Sequence, residues 1–175
     1  MTQSYGLEIM ENSKVVYVGG NDISTDVIYP GRFMATVLPT ETPQYAFADN
    51  KELNGMLKKG EISPGSVIVA GTNFGCGSSR EQAVSTLKVY ELVIIAKGFA
   101  RIFMQNAVNL GLQTVTCPDI VAKEGDDLEI SDEAVTNVTT GKRFPIIPLP
   151  VLRQQIIDAG GLIPFTRKRL MEKAR

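Results

Sequence analysis

One stretch limits the possible folds more than any other: Gly71-Thr72-Asn73-Phe74-Gly75-Cys76-Gly77-Ser78-Ser79-Arg80-Glu81-Gln82. An apolar run, residues 66–70, precedes it and reads as a strand covered on both faces; an amphipathic stretch, residues 81–90, follows and reads as a helix. The glycines at 71, 75 and 77 let the backbone turn sharply and approach a ligand closely. Ser78-x-x-Glu81 and Ser79-x-x-Gln82 both have capping-box spacing, so either serine is expected to cap the helix. A strand, a glycine-rich turn and a helix N-terminus together make an anion site. No Gly-Lys-Ser/Thr follows, which excludes a Walker loop, and the glycine spacing does not fit a dinucleotide fingerprint.

The pattern repeats in looser form. Residues 92–96 are a second apolar run, 99–110 a second helix stopped by Gly111, and 113–116 a third strand. Strand–helix–strand spacing of this kind implies parallel pairing with right-handed crossovers. Upstream, residues 14–18 read as a strand closed by the turn 19–22, and 23–36 as a loop with one short element. Residues 38–43 read as loop, and 45–59 as one helix ending at Lys58-Lys59-Gly60. Past Pro118, short strands are expected at 128–130, 134–139 and 143–149, then helices at 152–159 and 165–173. The fold class is α/β, a mixed sheet with flanking helices plus a small C-terminal β portion. No repeat or linker divides residues 1–175, which are expected to form a single domain.

What the chain lacks narrows its chemistry. It has 175 residues and no histidine, which removes Ser-His-Asp triads, Cys-His dyads and His-ligated metals. Its two cysteines, Cys76 and Cys117, are too few for an iron–sulfur cluster or a structural zinc, and are expected to be free thiols. Acid and base work falls to Ser, Asp, Glu, Lys or Tyr, and any metal must come from elsewhere. A net charge of −1 gives no general grip on nucleic acid or an anionic membrane. The run Arg167-Lys168-Arg169 then reads as a solvated face or partner contact. No apolar run approaches the ~18 residues that span a bilayer. Residues 1–6 lack a basic region before an apolar core, so no signal peptide is expected and a cytoplasmic location is.

Within this frame Ser78, Ser79 and Arg80 place two hydroxyls and a guanidinium side by side. Asp26 and Arg32 have the charge and reach to join them, although capping or solvation is the ordinary role of such residues. Cys76 sits in the turn, where packing is the simpler reason for it.

Three motifs in order carry a resemblance: Asp22-Ile23-Ser24-Thr25-Asp26-Val27-Ile28-Tyr29-Pro30-Gly31-Arg32, Gly75-Cys76-Gly77-Ser78-Ser79-Arg80-Glu81, and Ala96-Lys97-Gly98-Phe99-Ala100-Arg101-Ile102-Phe103. Together they resemble the swivelling domain of the aconitase superfamily, in the small-subunit form of the isopropylmalate dehydratase family. The resemblance runs from about Val15 to the C-terminus. It implies a hydro-lyase acting on hydroxy acids with two or three carboxylates. It also implies a separate large subunit holding a 4Fe–4S cluster, in a heterodimer or heterotetramer. By the same resemblance Ser78 is the base and Asp26 a catalytic aspartate. Ser79 and Arg80 bind substrate carboxylate, and Arg32 shapes the pocket.

The resemblance further implies that residues 33–36 select the substrate's third substituent. Homoaconitase-type relatives carry an arginine there, suited to a distal carboxylate. This chain has Phe33, Met34, Ala35 and Thr36, with Ala35 in the arginine's place, so an alkyl substituent is expected, as in isopropylmalate, citramalate or a methylated malate. The chain departs from the family pattern at Gln82, where histidine is usual, at Gly98, where serine is, and in the stretch Phe33-Met34-Ala35-Thr36, which is not a familiar version of the specificity stretch. A homoaconitase-type subunit and a non-catalytic anion-binding module are the alternatives.

The bare chemistry also calls for a partner. Hydroxide leaves poorly without a Lewis acid. A helix N-terminus lends at most about 2 kcal/mol, roughly 1.5 pKa units, toward ionising an alcohol whose pKa lies near 15.7. The chain alone is expected to be inactive.

Overall fold

The computed structural model describes residues 10–173 apart from Val37 and Pro39. The expectation for residues 1–6, and Pro39 within the loop at 38–43, lie outside the described residues. Two buried strands set the architecture, β2 (Val67–Ala70) and β3 (Val93–Ala96), following β1 (Met10–Val18) and preceding β4 (Thr114–Thr116). These four run parallel in the order β4-β3-β2-β1. On the far side of β1 lie β5 (Asp127–Ile130), β6 (Ala134–Asn137) and β7 (Lys142–Pro145), all antiparallel, completing one seven-stranded mixed sheet. The expected C-terminal β portion is therefore continuous with the parallel half through β1.

Period-two alternation sorts the buried strands into two cores. Ile68, Ala70, Ile94 and Ala96 face helices α2 (Lys51–Lys59), α3 (Glu81–Val89) and α4 (Arg101–Leu110), packing with Leu53, Leu57, Val84, Leu87 and Phe103. Val67, Val69, Val93 and Ile95 face the other way and pack with Val15, Val115, Leu128, Ile130 and Val135. That second core draws on strands from both halves because the sheet curls. Beyond β7, Ile147 donates to the Thr116 carbonyl at 2.8 Å, so the last strand's continuation meets the first edge. Each buried Ile or Leu contributes about 1.5–3 kcal/mol, so the two cores dominate the fold's stability.

Several boundaries differ from the sequence expectation. Residues 45–59 are not one helix: a 3-10 turn occupies Thr42–Tyr45, and α2 starts only at Lys51, where Asn50 accepts from the Leu53 N–H. Between them Phe47 is driven into the core at φ +50°, its N–H donating to the Ile28 carbonyl, a tertiary contact that overrides local propensity. The strand expected at 143–149 stops at Pro145, and Pro148 cannot donate to continue it. Helix α5 (Val151–Asp158) matches its expectation closely, and α6 (Leu162–Lys173) starts a turn early because Pro164 is tolerated in a first turn. Arg167, Lys168 and Arg169 are exposed on α6. Among the described residues, no helix is long and apolar enough to cross a membrane.

Candidate active site

The site forms where the chain leaves the C-terminal ends of β1, β2 and β3, the usual ligand edge of parallel strands. Three loops are stitched there by backbone bonds. Gly75 N–H donates to Ile23 O at 2.7 Å, Thr25 N–H to Cys76 O at 2.8 Å, and Phe74 N–H to Gly98 O at 3.0 Å. The glycine-rich turn fits because Gly75 has φ +80° and a Cβ there would stand 2.1 Å from the Phe103 ring. Only glycine meets both demands.

Past that turn, Ser78 meets the one-turn helix α1 (Thr25–Ile28), which Ser24 caps through the Val27 N–H. The Thr25 hydroxyl donates to the Ser78 carbonyl at 3.0 Å and lies 3.3 Å from Ser78 Oγ. The expected capping box is thereby overturned: the N-cap of α3 is Arg80, with no side-chain cap bond from Ser78 or Ser79. Gly77, at φ +92°, turns the serines away from the helix, and Ser78 engages Thr25 instead. Both Ser78 and Ser79 are exposed.

Arg80 and Asp26 are joined. Arg80 Nη1 donates to Asp26 Oδ1 and, at 3.1 Å, to the Tyr29 carbonyl, while Asp26 Oδ1 also accepts from Gly31 N–H at 2.8 Å. The guanidinium is mostly covered, its side chain 16% exposed, but the carboxylate is open at 64%. The Arg80 hydrogen bond, helped by Gly31 N–H, holds the Asp26 carboxyl below the usual carboxylate range. Asp26 is thus a fixed anion.

Arg32 is held elsewhere. It makes a two-point pair with Asp49, at 2.6 and 3.1 Å, and its guanidinium lies 4.6 Å from the Phe33 ring centroid. Phe33 in turn stacks on Tyr45, centroids 4.1 Å apart and 12° from parallel. The column Asp49–Arg32–Phe33–Tyr45 fixes the guanidinium plane, and the pairing lowers the Asp49 pKa while raising that of Arg32. Phe33 is therefore occupied in packing. Met34 and Ala35 project as exposed residues, and Thr36 is half-buried.

Ser78, Asp26 and Arg80 are brought together around Thr25 and Gly31, with Ser79 beside them; Arg32 is parked on Asp49. Sequence reasoning missed Asp49 and Tyr45, which fall inside the overlong helix expected at 45–59, and Thr25, which enters it only as one residue of the first motif. Gly31 enters the sequence reading only as one residue of the first motif. Its real constraint is the side chain above it.

Comparison with known proteins gives one consistent answer. Residues 22–120 match the family described as the aconitase C-terminal domain. The 3-isopropylmalate dehydratase small subunit of Thermodesulfovibrio yellowstonii is 39% identical over 89% of this chain and 93% of its own length. The isopropylmalate/citramalate isomerase small subunit of Methanocaldococcus jannaschii is 40% identical over 90% of this chain and 94% of its own. The crystal structure of 3-isopropylmalate dehydratase from Methanocaldococcus jannaschii superposes with a TM-score of 0.84 at 36% identity, over 95% of this chain and 98% of the other. The mixed sheet, the loop motifs at its parallel edge and these relatives agree, and the chain belongs to the aconitase C-terminal domain family.

Proposed function

We propose that this chain is the small subunit of a two-subunit hydro-lyase that removes and restores water on an alkyl-substituted malate, with isopropylmalate or citramalate as the substrate type. One observation carries the reading: Ser78, Asp26 and Arg80 gather on an open ledge at the parallel edge of the sheet, in a chain whose relatives bear these names.

In the dehydration direction, Ser78 as its alkoxide takes the proton from the carbon beside a carboxylate. The C–H bond breaks, an O–H bond forms on Ser78, and the electron pair becomes a double bond as hydroxide leaves. Arg80, and Ser79 beside it, receive a substrate carboxylate. Asp26 holds Arg80 in place and balances its charge. Arg32 approaches the other carboxylate from its seat on Asp49, and Met34, Ala35 and Thr36 receive the alkyl group without offering a cation to a third carboxylate. That last feature disfavours a homoaconitate-type substrate.

The 4Fe–4S cluster that the resemblance implies would supply the Lewis acid for hydroxide departure. This chain's donors do not fit such a cluster. It has no histidine, and burial pushes the Cys117 thiol up to about 11. Among the described residues no group of three or more His, Cys, Asp or Glu could hold a metal ion. On this reading the cluster is held by the large subunit, in a cytoplasmic heterodimer or heterotetramer. In that assembly residues 1–175 act as a single swivel-type domain. The ledge itself calls for a cover, since Asp26 is 64% exposed and carboxylate recognition strengthens when water is excluded.

The test is co-expression with a large subunit of the isopropylmalate dehydratase type from the same source and anaerobic assay against a panel of alkyl malates. The complex is expected to turn over at least one of them, and Ser78→Ala to lower kcat by about 100- to 10,000-fold. A correctly assembled Ser78→Ala complex with undiminished kcat would falsify the assignment of the base.

A further inference from the structure

Thr25 places a buried hydroxyl against the residue read as the base. Thr25 is 2% exposed, and its Oγ1 sits 3.0 Å from the Ser78 carbonyl and 3.3 Å from Ser78 Oγ. It cannot drift, because its N–H donates to Cys76 O at 2.8 Å and its carbonyl accepts from Tyr29 N–H at 2.8 Å. A threonine hydroxyl has one hydrogen and two lone pairs. While that hydrogen is on the Ser78 carbonyl, the contact with Ser78 Oγ is made by the serine's own hydrogen, which Thr25 accepts. Once Ser78 is an alkoxide that hydrogen is gone, and a short rotation about the Thr25 Cβ–Oγ1 bond points its hydrogen at the negative oxygen. An anionic acceptor binds a donor about twice as strongly as a neutral carbonyl does, so the rotation is favourable.

We propose that Thr25 is a positioning residue for proton removal, a donor that turns from the Ser78 carbonyl to Ser78 Oγ when the serine becomes an alkoxide. The proposal rests on Ser78 being the base. When the substrate proton arrives on Ser78 Oγ, the new O–H turns toward Thr25 Oγ1 and the Thr25 hydrogen returns to the carbonyl. Rehydration reverses each change, and Thr25 neither gains nor loses a proton. The nearest charged and titratable groups in sequence are Cys76, Arg80 and Glu81 on the Ser78 segment and Asp26 on α1. Arg80 and Asp26 are paired with each other, and among the described residues the Thr25 hydroxyl is already in contact with the oxygen that ionises.

The experiment compares Thr25→Val, Thr25→Ser and Ser78→Ala, each co-expressed and assembled with the large subunit, by kcat, KM and the pH profile of kcat. Thr25→Val is expected to lower kcat about 10- to 100-fold with KM changed less than about threefold, the loss of one donor to a developing oxyanion. Because a donor favours the ionised form, its removal raises the serine's pKa, and the acid limb of the kcat profile should move up by about one to two pH units. Thr25→Ser restores the hydroxyl and is expected to recover most of the rate and the original limb. If Thr25→Val does not assemble, Thr25→Ala makes the same comparison. Inactive Ser78→Ala together with an unshifted limb in Thr25→Val, or equal losses in Thr25→Ser and Thr25→Val, overturns the role of Thr25 alone. Active Ser78→Ala overturns the underlying assignment of the base instead.

Discussion

Arg80 lies so close over Gly31 that a Cβ there would stand 2.9 Å from its Nη2 and 3.2 Å from Asp26 Oδ1. The absence of a side chain at position 31 is what lets guanidinium and carboxylate meet beside the Gly31 N–H. Gly31→Ala should displace the end of Arg80 while leaving the backbone intact, since the crowded atoms end side chains. Steady-state kinetics of the assembled complex should show KM raised about tenfold, the loss of a charge-assisted contact of about 1.4 kcal/mol, with a circular dichroism spectrum unchanged. An unchanged KM would mean that Arg80 does not meet substrate in this orientation.

Asp49 holds Arg32 in a two-point pair on an exposed face. Such pairs add little to folding stability, so Asp49→Asn should melt near the unmodified protein. Its effect should fall on substrate: with the guanidinium no longer fixed, KM rises about 3- to 10-fold while kcat holds. Titrating substrate against both complexes separates the two parameters, and an equal fall in kcat with constant KM would argue against this role for Arg32.

Ala35 is exposed, leaving room for a longer side chain. Ala35→Arg should shift preference toward a substrate with a third carboxylate. The ratio of kcat/KM for homoaconitate over isopropylmalate is expected to rise about 10-fold or more, the scale of one new charge-assisted pair. No shift would remove position 35 from the determinants of specificity.

Much of this arrangement was legible in the chain. The apolar runs at 66–70 and 92–96 announced covered strands because a parallel sheet buries both faces, and the glycines announced the turn. Contacts distant in sequence decided the features that escaped. Ser78 and Ser79 have the spacing of caps, but the positive φ of Gly77 and the hydroxyl of Thr25, 53 residues away, claim Ser78. Phe47 and Asn50 break a helix that local propensity favours, because Phe47 fills the core and Asn50 caps α2. The position of Asp49 is a result of that break, so no local pattern could pair it with Arg32.

Acid should weaken the fold in a definite window. Asp126 accepts from Lys123 N–H at 2.8 Å and Asn137 Nδ2 at 2.7 Å, bonds that lower its pKa, and the Arg80 hydrogen bond lowers that of Asp26. A depressed folded pKa contributes stability above the unfolded value of about 3.9 that is lost as pH falls through the folded value. Denaturant midpoints should therefore stay level from about pH 7 to 5 and drop below about pH 4. Asp126→Asn should reduce that drop; an undiminished drop would place the acid sensitivity elsewhere.

The two thiols should differ in reactivity. Burial, reinforced by the nearby Asp119 charge, lifts Cys117 to about 11, whereas Cys76 is half-buried in the turn. At pH 8 a thiol of pKa 11 is about 0.1% thiolate, and the thiolate is the reactive form. Iodoacetamide should label Cys76 first in the folded chain and reach Cys117 only after denaturation, as peptide mass mapping would reveal. Comparable labelling of both would mean that the β4–β7 region opens readily.

The bond from Ile147 to Thr116 fastens one end of the curled sheet to the other, and β7 presents Lys142, Arg143 and Pro145 along its rim. Donor and acceptor rows that elsewhere recruit a stranger's backbone are here tied off or blocked by charge and proline. Among the described residues, these two rims discourage the addition of a foreign strand at the positions named.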